Sequence, residues 1–528
     1  MARGTVEHAP GEVGGAAGRR RRRLVLAACS LSLFMVTLDN TIVNVALPSL
    51  QRQFHASVPE LQWVADAYLL VLAALLLFAG SLGDRFGRRR VLRTGLVLFG
   101  AGSLACSLSV SLPMLIAFRM VQACGGCMLN PNSLSIISDT FREPRERAAA
   151  IGVWGGVVGI STAAGPVLGG ALIQAIDWRS IFWVNVPVVA IALVLIAAFV
   201  PESKSAHPRR LDPTGQLLAI VVLASLTYGI IEGPAKGWTS PWILACGAVT
   251  VLGTAAFLAV ERRQQQPLLE LRFFRSPPFS GATAIAVLAF VVLAGWLFLN
   301  TLYLQEVRHY SPLMAGVAAL PATIVIVVVS PLTGRIVGHH GTRWPLTGAG
   351  LLLMAGAGLL ALVQPSWPYL DLAGCYLLIG LGFGMVNPPI TNTAVSGMPL
   401  SQSGVAAAVA STARQLGSVL GVAVLGSVVT AGMQGQLAAR LKGSGLPTAV
   451  KDRLAASSLS SGLDSRHLQP RAARIVGEAF TAATHTGWVL AAGCGLLVAV
   501  LAWFTTSPAA RAVAERVMKR AQAAPSAP

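Results

Sequence analysis

Three charged side chains lie inside segments of the sequence that are otherwise apolar. Asp39 lies within the run that begins at residue 24, and Asp66 and Arg119 lie near the starts of two later runs. A charge inside the hydrocarbon core of a bilayer is costly, and it marks a functional site by default. An apolar environment favours the neutral form of a carboxyl group, whereas a nearby guanidinium favours the charged form. Together, these side chains predict a site that takes up and releases protons.

The three residues are expected to share one layer of the membrane. With the N-terminus inside, they fall towards the outer ends of the first, second and fourth spans. At a rise of about 1.5 Å per residue, each lies roughly 7–14 Å below the outer surface. The alternative is a fixed structural ion pair, or hydrogen bonds between Asp39 and Asn40 or Asn44.

The composition predicts an all-α polytopic membrane protein. The 528 residues are 54% hydrophobic and 12% charged, whereas about 25% of the residues of a soluble domain are charged. The net charge of +19 does not indicate nucleic-acid binding, because the basic patches are short loops between apolar spans. Basic residues gather on the cytoplasmic side of membrane proteins.

Several classes of chemistry lack the residues that they need. The seven cysteines lie in apolar spans and are interpreted as small buried side chains rather than disulfides. The eight histidines show no metal-ligand spacing, and no Gly-Lys-Ser or Gly-Lys-Thr forms a phosphate loop. No enzyme, metal or cofactor is therefore expected, and no ATP hydrolysis.

Apolar runs predict fourteen transmembrane helices. Their approximate limits are 24–47, 61–82, 91–110, 113–138, 147–175, 180–200, 214–233, 241–260, 279–304, 313–337, 345–364, 369–392, 402–431 and 484–505. Most arginines and lysines of the short loops fall on one side of this arrangement. The short loops of the other side hold only Arg52, Arg179, Lys236 and Arg308. The bias predicts that both termini are cytoplasmic.

An internal repeat indicates two related halves. Met128-Leu129-Asn130-Pro131 in the fourth span matches Met385-Val386-Asn387-Pro388 in the twelfth, and repeated halves are typical of secondary transporters. The predicted parts are a cytoplasmic basic tail, a six-helix bundle, linkers with two inserted helices, a second six-helix bundle and a cytoplasmic tail. In the same order, their ranges are 1–23, 24–200, 201–278, 279–505 and 506–528. The second bundle includes an outside loop, 432–483, whose 440–480 portion can form an amphipathic helix.

Two further stretches are candidates for conformational change. The loop after the second span contains Gly83, Asp84, Arg85, Gly87 and Arg88, whose charges can pair across the cytoplasmic mouth. The alternative is a plain positive-inside anchor. The fifth span is rich in small residues that allow close helix approach, and its proline interrupts a backbone hydrogen bond. The residues of this predicted bend are Gly159, Gly165, Pro166, Gly169 and Gly170.

Aromatic and amide side chains in the spans are candidates for a substrate cavity. Trp296, Asn300 and Tyr303 are three or four residues apart, which places them on one helical face; lipid-belt aromatics are the alternative. Tyr376 takes the place of Arg119 in the repeat, so the second half is expected to lack the charged layer. Arg414 is interpreted as a snorkelling anchor. The other predicted cavity residues are Asn44, Trp63, Tyr68 and Gln122.

Five of these stretches, in order and at matching spacing, resemble the major facilitator superfamily in its 14-helix drug:proton antiporter branch. They are Leu38 to Pro48, Gly80 to Arg90, Arg119-x-x-Gln122, Gly159 to Gly170, and Trp178 to Pro187. The resemblance is close over the first half and looser over the second. Ala123 departs from the glycine that the family usually has after this glutamine.

The resemblance implies a fold of two six-helix bundles with two inserted helices and an alternating-access mechanism. It also implies export of antibiotics or other toxic amphiphiles in exchange for protons, with Asp39 and Arg119 in proton coupling. Asp84 with Arg85 would gate the cytoplasmic side. The expected setting is a monomer in a bacterial cytoplasmic membrane, with a small amphipathic substrate, protons and lipid as partners. The alternative is export of a self-made metabolite, or proton-linked import of a small solute.

Overall fold

The computed structural model describes residues 16–141, 143–204, 212–264, 271–396, 403–442 and 470–510, with isolated residues beyond these ranges. The described part is helical and contains no strand. Its helices are α1 (Ala16–Phe54), α2 (Val58–Phe86), α3 (Arg88–Ser107), α4 (Leu112–Thr140), α5 (Pro144–Ala175), α6 (Ser180–Trp183), α7 (Asn185–Phe199), α8 (Pro213–Lys236), α9 (Pro241–Arg263), α10 (Pro277–Leu302), α11 (Pro312–Ala318), α12 (Leu320–His340), α13 (Arg343–Leu360), α14 (Tyr369–Ser396), α15 (Ser403–Lys442) and α16 (Pro470–Thr505). A π-helical turn, Tyr303–Val307, continues α10.

The apolar runs of the sequence become helices because a segment in lipid must satisfy its backbone hydrogen bonds internally. Each of the fourteen predicted ranges falls on a helix or on two successive helices, such as α6 with α7. Several begin with proline in the first turn, where the missing N–H leaves no bond unmade. The protein is therefore a multi-span helical membrane protein.

Twelve of the described helical segments are long and apolar enough to cross a membrane. The helices α3 and α13, of 20 and 18 residues, fall outside this set. Both begin with arginine, which lowers their mean hydropathy. A count of fourteen crossings therefore stays a prediction.

The ends of two helices differ from the sequence expectation. The helix α1 starts at Ala16, so Arg19–Arg23 form its first turns rather than a tail. The predicted outside loop 432–483 is partly helical, because α15 runs to Lys442 and α16 starts at Pro470. Most of the stretch between them, including most of the proposed amphipathic helix, lies outside the described residues, as does most of the predicted C-terminal tail.

Helices of the same half pack closely on one another. In the first half, α1, α2 and α3 pack on α4, and α1 packs on α5 and α7. In the second half, α10 packs on α14, α15 and α16, α12 and α13 pack on α14, and α13 packs on α16. The inserted helix α8 packs on α9 and lies against both α2 and α15, one helix from each half.

The two halves meet at one end of the molecule, which we call the Pro48 end. There Gln62 Nε2 donates to the carbonyl oxygens of Val422 and Ala423, both at 2.9 Å. Gln305 Nε2 donates to Val45 O at 3.0 Å.

An ion pair joins the halves at the same end, with Arg52 Nη1 3.0 Å from Glu306 Oε1. Together with the two glutamine contacts, this pair links residues 16–199 to residues 277–510. At the opposite end, the Arg88 end, a Cβ added to Gly152 or Gly156 of α5 would meet open space. The side-chain hydrogen bonds and the ion pair described between the halves thus lie at the Pro48 end.

Candidate functional site

Asp39 lies at the centre of a buried polar network inside the first half. Its side chain is fully buried, and its two oxygens accept hydrogen bonds from three residues. Oδ2 accepts from Arg119 Nη1 at 2.5 Å, and Oδ1 accepts from Gln122 Nε2 at 2.9 Å and from Asn185 Nδ2 at 3.1 Å. Because α1 and α4 pack on each other, residues 80 positions apart in the chain form this ion pair.

Arg119 is held from several sides. Besides Asp39, its Nη1 donates to Gln122 Oε1 at 2.8 Å, and its Nε donates to Val64 O at 3.4 Å. Its guanidinium lies 4.2 Å from the ring centre of Tyr68 and 5.9 Å from that of Phe182. These rings are buried beside the guanidinium and supply cation–π attraction. The pair is therefore neutral in sum, fixed in geometry and shielded from solvent.

The network extends to residues that sequence reasoning did not select. Asn185 Nδ2 also donates to Ser103 Oγ at 3.0 Å, and Ser103 Oγ donates to Phe182 O at 2.9 Å. All three residues are buried. Asn185 stands in the quoted stretch Trp178 to Pro187, and an amide at the start of an apolar span was the signal that could have revealed it.

Asp66 lies apart from this network. Its side chain is fully buried, and neither carboxyl oxygen has a hydrogen-bond partner among the residues that the structure describes. An isolated buried carboxylate costs so much free energy that such a group is normally neutral. Asp39 and Asp66, two carboxyl groups in neighbouring helices, therefore occupy opposite electrostatic environments.

The second half holds a neutral counterpart of the ion pair. Tyr376 is fully buried, its hydroxyl donates to Asn300 Oδ1, and its ring packs edge-on against Trp296 with 5.4 Å between centres. These residues belong to α10 and α14, which pack on each other as α1 and α4 do. The described structure thus has a tyrosine–amide contact here instead of a carboxylate–arginine pair.

The glycines of α5 lie where the helix approaches its neighbours most closely. A Cβ on Gly165 would collide with Thr41 of α1, and a Cβ on Gly169 would collide with Ile42. On another side, a Cβ on Gly170 would collide with the backbone of Pro312 and Leu313 in the other half.

The contact with the second half continues along α5. Gly316 of α11 lies against the backbone of Pro166, and Gly159 lies near Val327 of α12, where a Cβ would come within 3.3 Å of a methyl group. The helix α5 continues through Pro166 to Ala175. Its small residues therefore form one part of the interface between the halves.

In the α2–α3 loop, Arg88 is the partner of Asp84, whereas Arg85 is exposed. Arg88 Nη2 lies 2.8 Å from Asp84 Oδ1, and Arg88 Nη1 lies 2.5 Å from Asp139 Oδ2 of α4. Gly87 joins the two helices with φ of 109°, a conformation that favours glycine. Gly83 packs against Asn132, with no room for a side chain.

Most of the predicted cavity residues are buried in packing. Tyr68 and Gln122 belong to the Arg119 network, and Trp296 and Asn300 contact Tyr376, as described above. Tyr303 donates its hydroxyl to Gln364 O at 3.1 Å. Asn44 Nδ2 donates to Asn40 O at 3.0 Å.

Trp63 is placed differently. Its Nε1 donates to Glu232 Oε1 of the inserted helix α8 at 3.0 Å. It also lines, with Glu60, Pro113 and Met120, an apolar groove of about 440 Å³ between α2 and α4. In this conformation the candidate cavity residues do not converge on one open site. In the described residues, no three His, Cys, Asp or Glu side chains come close enough to hold a metal ion.

Comparison with known proteins agrees with this geometry. The family model of the Major Facilitator Superfamily matches residues 29–422. The chain is 39% identical over 423 residues to "Multidrug resistance protein Stp" of Mycobacterium tuberculosis (strain CDC 1551 / Oshkosh), covering 80% of this chain and 79% of the relative. It is 38% identical over 404 residues to "Tetracenomycin C resistance and export protein" of Streptomyces glaucescens, covering 76% and 74%.

Among solved structures, a bacterial homologue of the human lysosomal transporter Spinster, in an inward-facing and unoccupied conformation, superposes with a TM-score of 0.68. The alignment covers 96% of this chain and 99% of that one, at 18% identity. This likeness concerns the fold.

Proposed function

The chain belongs to the major facilitator superfamily, and we propose that it is a proton-coupled carrier that exports antibiotics or similar toxic amphiphiles by alternating access. The relatives' names supply the substrate class, since one is a multidrug resistance protein and another a tetracenomycin C resistance and export protein. The observation that carries the proton coupling is the buried network around Asp39.

Asp39 and Arg119 form the proton switch of this proposal. When a proton binds Asp39, the carboxylate charge disappears and Arg119 is left as a buried cation without a counter-charge. Removing one partner of a buried ion pair costs about 3–5 kcal/mol. That free energy is relieved if α1 and α4 shift so that water or a substrate group reaches the guanidinium. Proton binding at Asp39 thereby favours a different conformation.

Asp66 is the second proton-binding residue of the proposal. Its buried, unpartnered carboxyl group supports a protonated form in the present conformation. When the helices around it separate, water can stabilise the charged form and the proton leaves. Asp39 and Asp66 thus exchange protons in different steps of the cycle.

The glycine-lined contacts of α5 are the moving interface. We assign the Arg88 end to the cytoplasm, and the contacts between the halves at the Pro48 end support an inward-facing conformation with both termini cytoplasmic. Opening the Pro48 end requires α5 to separate from α11. Because the backbones approach so closely at Gly170, this contact is either fully formed or fully broken, with no intermediate packing. In this scheme 24–200 and 279–505 are the two moving bundles, and the Arg88 ion pairs brace the first bundle.

We further infer that the protein works as a monomer in the bacterial cytoplasmic membrane. The bacterial sources of the relatives support this setting. The candidate cavity residues Tyr68 and Gln122 then become accessible only when the Arg119 network opens. Substrate binding and proton binding would therefore both depend on the same movement of α4.

Proton release from inverted membrane vesicles tests the function. Adding a transported antibiotic to energised vesicles is expected to release protons from wild-type vesicles and not from Asp39→Asn vesicles. Asp371→Asn, an exposed carboxylate in α14, is the matched control and should behave as wild type. Antibiotic-dependent proton movement in Asp39→Asn would refute the role of Asp39. Unchanged antibiotic tolerance on both deletion and overexpression would instead favour export of a metabolite.

A further inference from the structure

A single arginine lies deep in the second half with only neutral partners. Arg414 lies eleven residues past the start of α15, about 16 Å along the helix axis at 1.5 Å per residue. Its Nη2 donates to Ser411 Oγ at 2.8 Å, and its Nη1 donates to Thr391 Oγ1 of α14 at 3.3 Å. Within the described residues it forms no ion pair. A snorkelling anchor would reach the lipid surface, whereas this side chain turns towards another helix.

Three carboxylates at the Arg88 end already pair with arginines of the first half. At the Arg88 end, Asp84 and Asp139 both pair with Arg88. Glu146 pairs with Arg22 of α1, with 2.7 Å between the charged atoms. These ion pairs lie within the first half, so the charge of Arg414 is not compensated by them.

Arg414 belongs to a polar stripe along an otherwise apolar helix, which we call the Arg414 stripe. It consists of Ser411, Arg414, Gln415 and Ser418, all partly exposed and spaced three, four and seven residues apart. This spacing forms one face of a helix. Polar side chains on a membrane helix face the bundle interior or a water-filled cavity rather than lipid.

The other side of the same helix is packed. Ala410, Ala413 and Gly417 are buried, and a Cβ on Gly417 would collide with Val287 O of α10. The small residues thus hold α15 against α10, and the polar stripe lies on a different, partly exposed face of the helix.

We propose that the Arg414 stripe binds the anionic group of an amphipathic molecule, a carboxylate or a phosphate, inside the carrier. An arginine fork matches these groups in shape and charge, and the neighbouring serines and glutamine add neutral hydrogen bonds. The inference rests on the proposed function for its link to transport. It also restricts the substrates: an acidic or zwitterionic amphiphile fits beside Arg414, and a simple cation is repelled.

Binding of a fluorescent acid and its ester tests the site without needing transport. Energy transfer from tryptophan to pyrene reports binding of pyrenebutyrate or methyl pyrenebutyrate to the full-length protein in neutral detergent. In Arg414→Gln the Kd for the acid is expected to rise about tenfold, while the Kd for the ester changes less than about twofold. Arg414→Lys should restore most of the affinity. Arg440→Gln, an arginine near the other end of α15 that pairs with Glu478, should bind as wild type.

Two results overturn the proposal: equal changes for acid and ester, which mean a structural role, or no change for either. If Arg414→Gln does not fold, Ser411→Ala removes the 2.8 Å hydrogen bond and should raise the Kd of the acid alone by about threefold.

A third arm identifies the source of the anion. If phosphatidylglycerol displaces the acid from wild type and phosphatidylcholine does not, while Arg414→Gln still transports pyrenebutyrate at the wild-type rate in proteoliposomes, the bound anion is a lipid headgroup. If Arg414→Gln transports the acid more slowly than wild type but transports the ester at the wild-type rate, the bound anion is a transported substrate. The binding assay requires no proton gradient, so failure of the Asp39 experiment leaves this result standing, and the reverse also holds.

Discussion

Removing the charge of Asp39 is expected to destabilise the protein, and a second change at Arg119 is expected to restore stability without restoring proton coupling. In Asp39→Asn the side-chain volume is kept, but Arg119 becomes a buried cation with only neutral partners. The side chains of the pair are 2% and 0% exposed, so solvent cannot screen the loss. Breaking such a pair costs about 3–5 kcal/mol. The amide oxygen of asparagine still accepts one hydrogen bond from Arg119, which favours the lower end of that range.

The double variant Asp39→Asn/Arg119→Gln removes both charges and leaves amides that can bond to Gln122 and Asn185. Replacing both partners of a buried ion pair by neutral groups is often close to neutral in free energy. Its stability should therefore lie within about 1–2 kcal/mol of wild type, whereas each single variant loses more. If each single variant loses about 3 kcal/mol, the coupling free energy from the four proteins should be about 4–5 kcal/mol, within the range measured for close charge pairs.

The assay is thermal or denaturant unfolding of the four purified proteins in the same detergent, with antibiotic-dependent proton release measured on the same variants. Arg440→Gln supplies a control for an arginine that is partly exposed. A single Asp39→Asn variant as stable as wild type would mean that the pair does not hold the helices together. Proton release by the double variant would refute proton coupling at this pair.

Three further outcomes are expected. Asp66→Asn should fold with wild-type stability and lose proton release, since a protonated carboxyl group and an amide are both neutral; marked destabilisation would show that Asp66 is charged here. Gly170→Ala should open the Pro48 end, because overpacking at a backbone contact costs about 1–3 kcal/mol, and a cysteine introduced at Gln305 should then react faster with an impermeant maleimide. Gly156→Ala, which faces open space, should leave that rate unchanged, and equal rates in both variants would contradict the role of the α5 interface. Arg88→Gln should slow transport more than Arg85→Gln, because only Arg88 bridges two carboxylates; the reverse order would refute this bracing contact.

The sequence determined the helices and their order. Apolar runs of the length that a bilayer requires allow little but a helix, so all fourteen predicted ranges became helical. The same reasoning singled out Asp39 and Arg119, since a charge in an apolar run stands out without knowledge of its partner. The repeat likewise placed Tyr376 opposite Arg119, and the tyrosine–amide contact with Asn300 agrees with a second half that lacks the charged layer.

The tertiary structure decided which side chains are partners. Asn185 joins Asp39 across 146 positions of the chain, and Arg88 rather than Arg85 binds Asp84. Asp66 accepts no hydrogen bond from the described part of the chain, although it lies in the same kind of segment as Asp39. Such choices depend on how each helix is rotated and which neighbour it packs against. A helix with apolar side chains can rotate about its axis in lipid at little cost in free energy. The amino-acid composition therefore does not determine the rotation of each helix or its neighbours.

The inserted helix and Arg414 make the same point. Hydropathy indicated that α8 is a helix, but only packing placed it against both α2 and α15. Arg414 could be an anchor by its position near the end of a predicted span, and its hydrogen bond to Thr391 instead places it between two helices of the second half. The sequence by itself determined which residues are costly to bury. Only the tertiary structure decided which of these buried residues have a partner that compensates for the cost of burial, because the partners lie on helices far apart in the sequence.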